Sequence, residues 1–124
     1  MTPKIMIVDD NQDFRMLLQQ ILEDEGLDVI WVEDGFQAIQ KASVNQIDLI
    51  LMDIFMPGMN GVEAASKIKE ILPDCTVVMM TGYPLEDLIL NHLLKGAKAC
   101  LTKPISIQQL LEIVDEVVST EIKS

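Results

Sequence analysis

The chain predicts a single α/β domain, a doubly wound fold built from five βα units, and three observations carry that prediction. Five apolar runs of strand length recur along the 124 residues. Segments of helical period separate them, and most of the runs are apolar throughout instead of alternating, as strands covered on both faces of a parallel sheet are.

The first run is KIMIV, Lys4 to Val8. A helix expected over Gln12 to Glu25 puts Phe14, Leu17, Leu18, Ile21 and Leu22 on one stripe and stops at Gly26, a C-cap residue. DVIWV, Asp28 to Val32, is the second strand, and a short helix follows from Gly35 to Val44. DLILMD, Asp48 to Asp53, is the third strand. The third helix opens at NGVE, where Asn60 can cap and Glu63 can reach back, and it runs to Leu72 before Pro73. TVVMMT, Thr76 to Thr81, is the fourth strand; a fourth helix is expected after Pro84, ending near Gly96. KACLT, Lys98 to Thr102, is the fifth strand. The last helix opens at SIQQ, with Ser106 and Gln109 spaced as a capping box, and turns Ile107, Leu110, Leu111, Val114, Val117 and Val118 inward. No repeat, linker or low-complexity tract interrupts the series, so residues 1–124 read as one domain.

Composition removes several function classes. The chain is 49% apolar, which argues against disorder. A net charge of −11 disfavours direct nucleic-acid binding, which draws affinity from clustered Lys and Arg. No apolar run approaches the roughly 20 residues that span a bilayer, and MTPKIMIVDD lacks a long apolar core or a cleavage site, so neither membrane insertion nor a signal peptide is expected. A cytoplasmic location follows as the expectation, with Cys75 and Cys100 as reduced core thiols.

In an open parallel sheet, ligands sit in the crevice outside the carboxyl ends of the strands. Strand one ends in Asp9 and Asp10, strand three in Asp53, strand four in Thr81 and strand five in Lys103. Glu33 and Asp34, after strand two, join them only if that strand lies near the crevice. Carboxylates held together repel, and a hard divalent cation such as Mg²⁺ relieves them; an ammonium and a hydroxyl serve the oxygens of a transferred phosphoryl group. Asp53, at the centre, is then a nucleophile that forms an aspartyl-phosphate. Singly, each residue has a plainer reading: helix capping for DDNQD, a turn residue for Asp53, a strand residue for Thr81, a snorkelling cation for Lys103. Those readings do not account for their joint arrival at one rim. His92, on the predicted fourth helix, stands away from it, and the eight Met are core and turn fillers.

IMIVDD, LILMDIFMPGMNG, VVMMTG and LTKP, in that order and spacing, resemble the successive motifs of the receiver domain of two-component response regulators, the CheY-like family, over essentially the whole chain. The resemblance implies a flavodoxin-like sheet in the order 2-1-3-4-5. It implies that Asp53 accepts a phosphoryl group from a histidine kinase or phosphotransfer protein, and that Asp10, Asp53 and the backbone carbonyl of Phe55 ligate Mg²⁺, with Asp9 acting through water. Thr81 and Lys103 would contact the phosphoryl oxygens, and the Lys103–Pro104 bond would be cis. The domain would be a switch that catalyses its own phosphorylation and slow dephosphorylation. Its output surface would be the face of the predicted fourth helix, strand five and the fifth helix, where Leu85, Leu88, Ile89, Leu90, Leu93 and Leu94 spread too widely for one buried stripe; that face would meet an output partner or a second copy of the chain.

Two positions depart from or colour the pattern. Cys100 stands where receivers usually carry the aromatic residue that moves with the Thr, so the ring's part of the switch is expected to be missing. By the same resemblance, Phe55 and Tyr83 hold the positions that flank the path of the hydrolytic water in receiver domains, so slow dephosphorylation is expected. Two other classes fit less well. A flavodoxin-like cofactor carrier would want Ser, Thr and Gly where DDNQD stands, and a haloacid-dehalogenase-type phosphatase would want an Asp at position 55. Within the receiver class, a stand-alone signalling protein and the input domain of a longer regulator remain equally open.

Overall fold

The computed structural model describes residues 2–82 and 97–123. In chain order the elements among them are β1 (Lys4–Val8), α1 (Gln12–Asp24), β2 (Asp28–Val32), α2 (Gly35–Val44), β3 (Leu49–Asp53), α3 (Gly61–Ile71), β4 (Thr76–Thr81), β5 (Ala99–Thr102) and α4 (Ile107–Lys123). The strands form one parallel sheet in the order β2-β1-β3-β4-β5. The helix expected after Pro84, with its leucines and His92, lies outside the described residues.

Each inner strand is apolar at every position between its ends because its two faces feed two separate cores. Met6, Val8, Ile50, Met52, Val77 and Met79 pack with Ala38 and Ala42 of α2 and Ala64 and Ile68 of α3. Their neighbours in sequence, Ile5, Ile7, Leu49, Leu51, Val78 and Met80, pack with Leu18 and Leu22 of α1 and Leu110, Val114 and Val117 of α4. At 0.8 kcal/mol or so per buried methylene, this two-sided burial is what holds the sheet. Strands β2 and β5 sit at the edges and are less covered: Trp31 and Asp28 on β2 and Thr102 on β5 are exposed.

Side-chain caps set the helix starts. Asn11, Asp34 and Asn60 accept hydrogen bonds from the backbone N–H of Phe14, Gln37 and Glu63, and Ser106 does the same for Gln109. Glu63 itself lies 3.8 Å from Lys67, one turn on. Gly26, just past α1, has φ +83°, a conformation that favours glycine. The third strand starts at Leu49, and just before it the Asp48 carboxylate accepts from the Lys4 backbone N–H at 2.7 Å.

Two helical stripes need correction. Leu17, expected inward, is 55% exposed and Ile107 is 43% exposed, since both line an open groove between α1 and α4 and do not reach the sheet. Arg15 and Ile113 are buried in their stead. Cys75 is buried and Cys100 half-buried, both free; burial, chiefly, pushes the Cys75 thiol up to about 12, so it stays an uncharged core group.

Candidate functional site

Parallel strands put all their carboxyl ends on one edge, so the residues just beyond β1, β3, β4 and β5 share a rim. The register brings Val8 beside Met52, Asp53 beside Met80 and Thr81 beside Thr102. One step past those pairs stand Asp9 and Lys103, and two steps past Val8 stands Asp10. Glu33 and Asp34 do not join them: β2 is the outer strand, Glu33 faces Arg15, and Asp34 caps α2.

Asp9, Asp10 and Asp53 each offer a carboxylate oxygen, and the three oxygens lie within 4.8 Å of one another. Asp9 is wholly buried and fully engaged. One of its oxygens accepts the Asn11 N–H at 2.8 Å and the other accepts the Lys103 ammonium at 2.7 Å. That ammonium is also 3.5 Å from Asp53 and 4.5 Å from the centre of the Phe14 ring, a cation–π contact. Asp10 is exposed. Thr81, at the end of β4, is buried, and its carbonyl accepts the Lys103 N–H at 2.7 Å, which ties the two strand ends together. The Lys103–Pro104 bond is cis, as expected.

Asp53 is 5% exposed. Burial raises its pKa to about 6; the Lys103 charge and a hydrogen bond from the Phe55 backbone oppose the rise, while Asp9 and Asp10 add to it. A buried carboxylate at the centre of three, carrying more charge than Lys103 offsets, is suited to a hard cation with oxygen ligands. The Phe55 side chain, 46% exposed, borders a surface groove along α3 with Val62, Glu63 and Ser66.

Gly61 explains how α3 comes so near. Its N–H donates to the Ile54 carbonyl at 2.8 Å, and a Cβ on it would overlap the Asp53 carbonyl oxygen and come within 2.9 Å of the carbonyl carbon. Neither backbone can yield cheaply. Gly61→Ala is expected to destabilise the fold by about 3 kcal/mol, read as a lower urea midpoint at unchanged slope; a midpoint equal to wild type would show that α3 does not hold the Asp53 backbone this closely.

Arg15 is what sequence reasoning missed. It is 4% exposed, and its guanidinium donates to the Asp9 backbone carbonyl at 2.7 Å. The signal was its spacing: positions 15, 18 and 22 form one stripe of α1, and a cation on the buried stripe asks for a partner.

Fold and rim together define a class: an acidic, cation-ready site at the carboxyl edge of a five-stranded parallel sheet, with one buried carboxylate held against an ammonium. The family described as response regulator receiver domain matches residues 5–115, and the chain belongs to it. The chemotaxis protein CheY of Bacillus subtilis is 32% identical over 117 residues, covering 94% of this chain and 98% of that protein. The sensor protein GacS of Pseudomonas syringae is 36% identical over 120 residues, but the match spans only 13% of GacS. Among solved structures, a CheY-like receiver domain from Methanospirillum hungatei matches over the whole of both chains with a TM-score of 0.89 at 30% identity. The response regulator TrrA of Thermotoga maritima, in complex with Mg²⁺–BeF, matches 94% of this chain and 99% of its own with a TM-score of 0.85 at 29% identity.

Proposed function

We propose that this domain is a phosphoacceptor switch in two-component signalling, and that Asp53 is the residue phosphorylated. The observation that carries the reading is the cluster of three carboxylates within 4.8 Å of one another with the Lys103 ammonium against two of them. A carboxylate oxygen of Asp53 attacks the phosphorus of a phosphohistidine; the P–N bond breaks as the P–O bond forms, and the imidazole leaves with a proton. Lys103 and the Thr81 hydroxyl take phosphoryl oxygens as the ammonium shifts from its carboxylate partners. Asp10, Asp53 and the Phe55 carbonyl would hold Mg²⁺ directly and Asp9 through water, which agrees with both Asp9 oxygens being already engaged. When bound, Mg²⁺ neutralises the carboxylates and the incoming phosphoryl oxygens.

The partner that supplies the phosphoryl group is a sensor kinase or histidine phosphotransfer protein. A groove of about 450 Å³ between α1 and α4, lined by Phe14, Leu17, Ile21, Ile105 and Ile107, opens beside Lys103 and suits an apolar contact next to the acidic rim. Output passes through the face that includes β5 and α4, where Cys100 in place of a ring leaves the change to backbone and helix displacement, and a homodimer is one form that output can take. This reading sets the domain in the cytoplasm and makes residues 1–124 one receiver unit. Incubation with acetyl phosphate and Mg²⁺, followed by intact mass, is expected to show one added phosphoryl group, and none in excess chelator. Incorporation that ignores the chelator would overturn the reading.

The lifetime of that group follows from Phe55. In the family pattern the positions of Phe55 and Tyr83 flank the path of the hydrolytic water, where polar side chains can orient it; this chain carries rings at both positions, Tyr83 lying outside the described residues. Phospho-Asp53 is expected to decay about 10²-fold more slowly in wild type than in a Phe55→Asn, Tyr83→Glu double variant, measured after donor removal. Equal decay rates would show that the rings do not shield the acyl phosphate.

A further inference from the structure

We infer that Arg15 is a positioning residue for cation binding: it pins the Asp9–Asp10 peptide so that the Asp10 carboxylate meets Asp53 at a distance one cation can bridge. The inference rests on the proposed Mg²⁺ site and goes beyond it, since Arg15 touches neither the cation nor the phosphoryl group.

Four contacts describe its place. Nη1 donates to the Asp9 carbonyl oxygen at 2.7 Å, a charge-assisted bond buried from water. Nη2 lies 3.8 Å from Glu33, and the guanidinium carbon lies 4.5 Å from the centre of the Trp31 ring. The Arg15 backbone N–H donates to the Asn11 carbonyl at 3.1 Å, so the same residue closes the first turn of α1 over the corner it holds.

Other roles do not account for this arrangement. As an ion pair with Glu33, whose side chain is 57% exposed, the 3.8 Å contact contributes little. As core filler, a guanidinium is a poor choice, because a methionine would fill the space without the desolvation cost. The contact that asks for a buried cationic donor is the one from Nη1 to the Asp9 carbonyl, and the planar guanidinium is held for it against the Trp31 face. That carbonyl belongs to the peptide that leads into Asp10. Rotation of this peptide would swing the exposed Asp10 side chain away from Asp53, whose own place is fixed by β3. The Asp9 carboxylate would hold through Asn11 and Lys103, so only the Asp10 arm depends on Arg15.

The test uses Mg²⁺ itself and four forms of the whole chain: wild type, Arg15→Met, Arg15→Lys and Glu33→Gln. Calorimetry gives the Mg²⁺ Kd of each, circular dichroism and urea unfolding confirm the fold, and acetyl phosphate labelling is followed against Mg²⁺ concentration. Arg15→Met is expected to raise Kd at least tenfold, the scale on which outer-shell partners act, and to raise the Mg²⁺ needed for half-maximal labelling by the same factor, with the rate at saturating Mg²⁺ kept within about threefold. Arg15→Lys, which keeps the charge and loses the fork, is expected to raise Kd by about threefold or more, and it decides the matter if the Met variant does not fold. Glu33→Gln is expected to leave Kd as in wild type. A merely structural residue would lower the urea midpoint and leave Kd alone; a folded Arg15 variant with wild-type Kd therefore overturns the inference. Wild type that binds no Mg²⁺ would overturn the proposed function and this inference together, which is a different result from wild type and variants binding alike.

Discussion

Asp53→Asn is expected to take no phosphoryl group from acetyl phosphate at any Mg²⁺ concentration, while wild type gains one. The substitution keeps the shape and burial of the side chain and removes the anionic oxygen that attacks phosphorus, so the loss should be complete in the intact mass. The other two carboxylates cannot take over. Asp9 is wholly buried, with one oxygen on the Asn11 N–H and one on the Lys103 ammonium. Asp10 is exposed, so its oxygen is more strongly hydrated and lies farther from the β4 and β5 ends that carry Thr81 and Lys103. Burial raises the Asp53 pKa to about 6, which makes it more basic than an ordinary carboxylate and still leaves it mostly ionised at neutral pH. An added mass in the Asn variant equal to that of wild type would remove Asp53 from the centre of the site.

Much of this arrangement could be read from residue order, for a physical reason. Two-sided burial makes the inner strands near-continuous apolar runs, and KIMIV and TVVMMT match β1 and β4 residue for residue, as DVIWV matches the edge strand β2. Because all strands run parallel, a charged or hydroxyl residue at the end of each one lands on the same edge, so the placement of Asp9, Asp10, Asp53, Thr81 and Lys103 was legible before any coordinates. Strand order was not, since periodicity carries no information on which run lies beside which; it came from the family resemblance. Helical stripes were legible only to their margins. Leu17 and Ile107 satisfy the period and yet face the groove, because where a helix stops touching the sheet depends on its neighbour's tilt. Division of labour among the carboxylates was illegible as well. Lys103 sits 2.7 Å from Asp9 and 3.5 Å from Asp53 through a contact 94 residues apart in sequence, set by rotamers and not by spacing. Arg15 was passed over because a long cation is expected to reach for water, and the partner that keeps it inside is a backbone carbonyl, which no side-chain pattern reveals.

Metal-free protein is expected to lose stability between about pH 4 and pH 6, and Asp53→Asn is expected to remove most of that loss. The Asp53 pKa is about 6 in the folded chain against an ordinary 3.8, so between those values the folded state holds a proton that the unfolded state has released. Its contribution is fully present below pH 3.8 and is lost as the pH rises through about 6. The gap corresponds to roughly 3 kcal/mol at neutral pH, a large fraction of a small domain's stability. Asparagine has no proton to lose. In chelator, the variant and wild type should therefore unfold at similar urea concentrations near pH 4, and the variant should be the more stable at pH 7 by an amount approaching that figure. Groups common to both proteins cancel in the comparison. Adding Mg²⁺ at pH 7 should recover part of the difference in wild type by binding the folded state, and much less in the variant, which has lost one ligand. A wild type as stable as Asp53→Asn at pH 7 in chelator would mean that Lys103 already offsets the buried carboxylate, and that the site does not hold its charge in readiness for a cation.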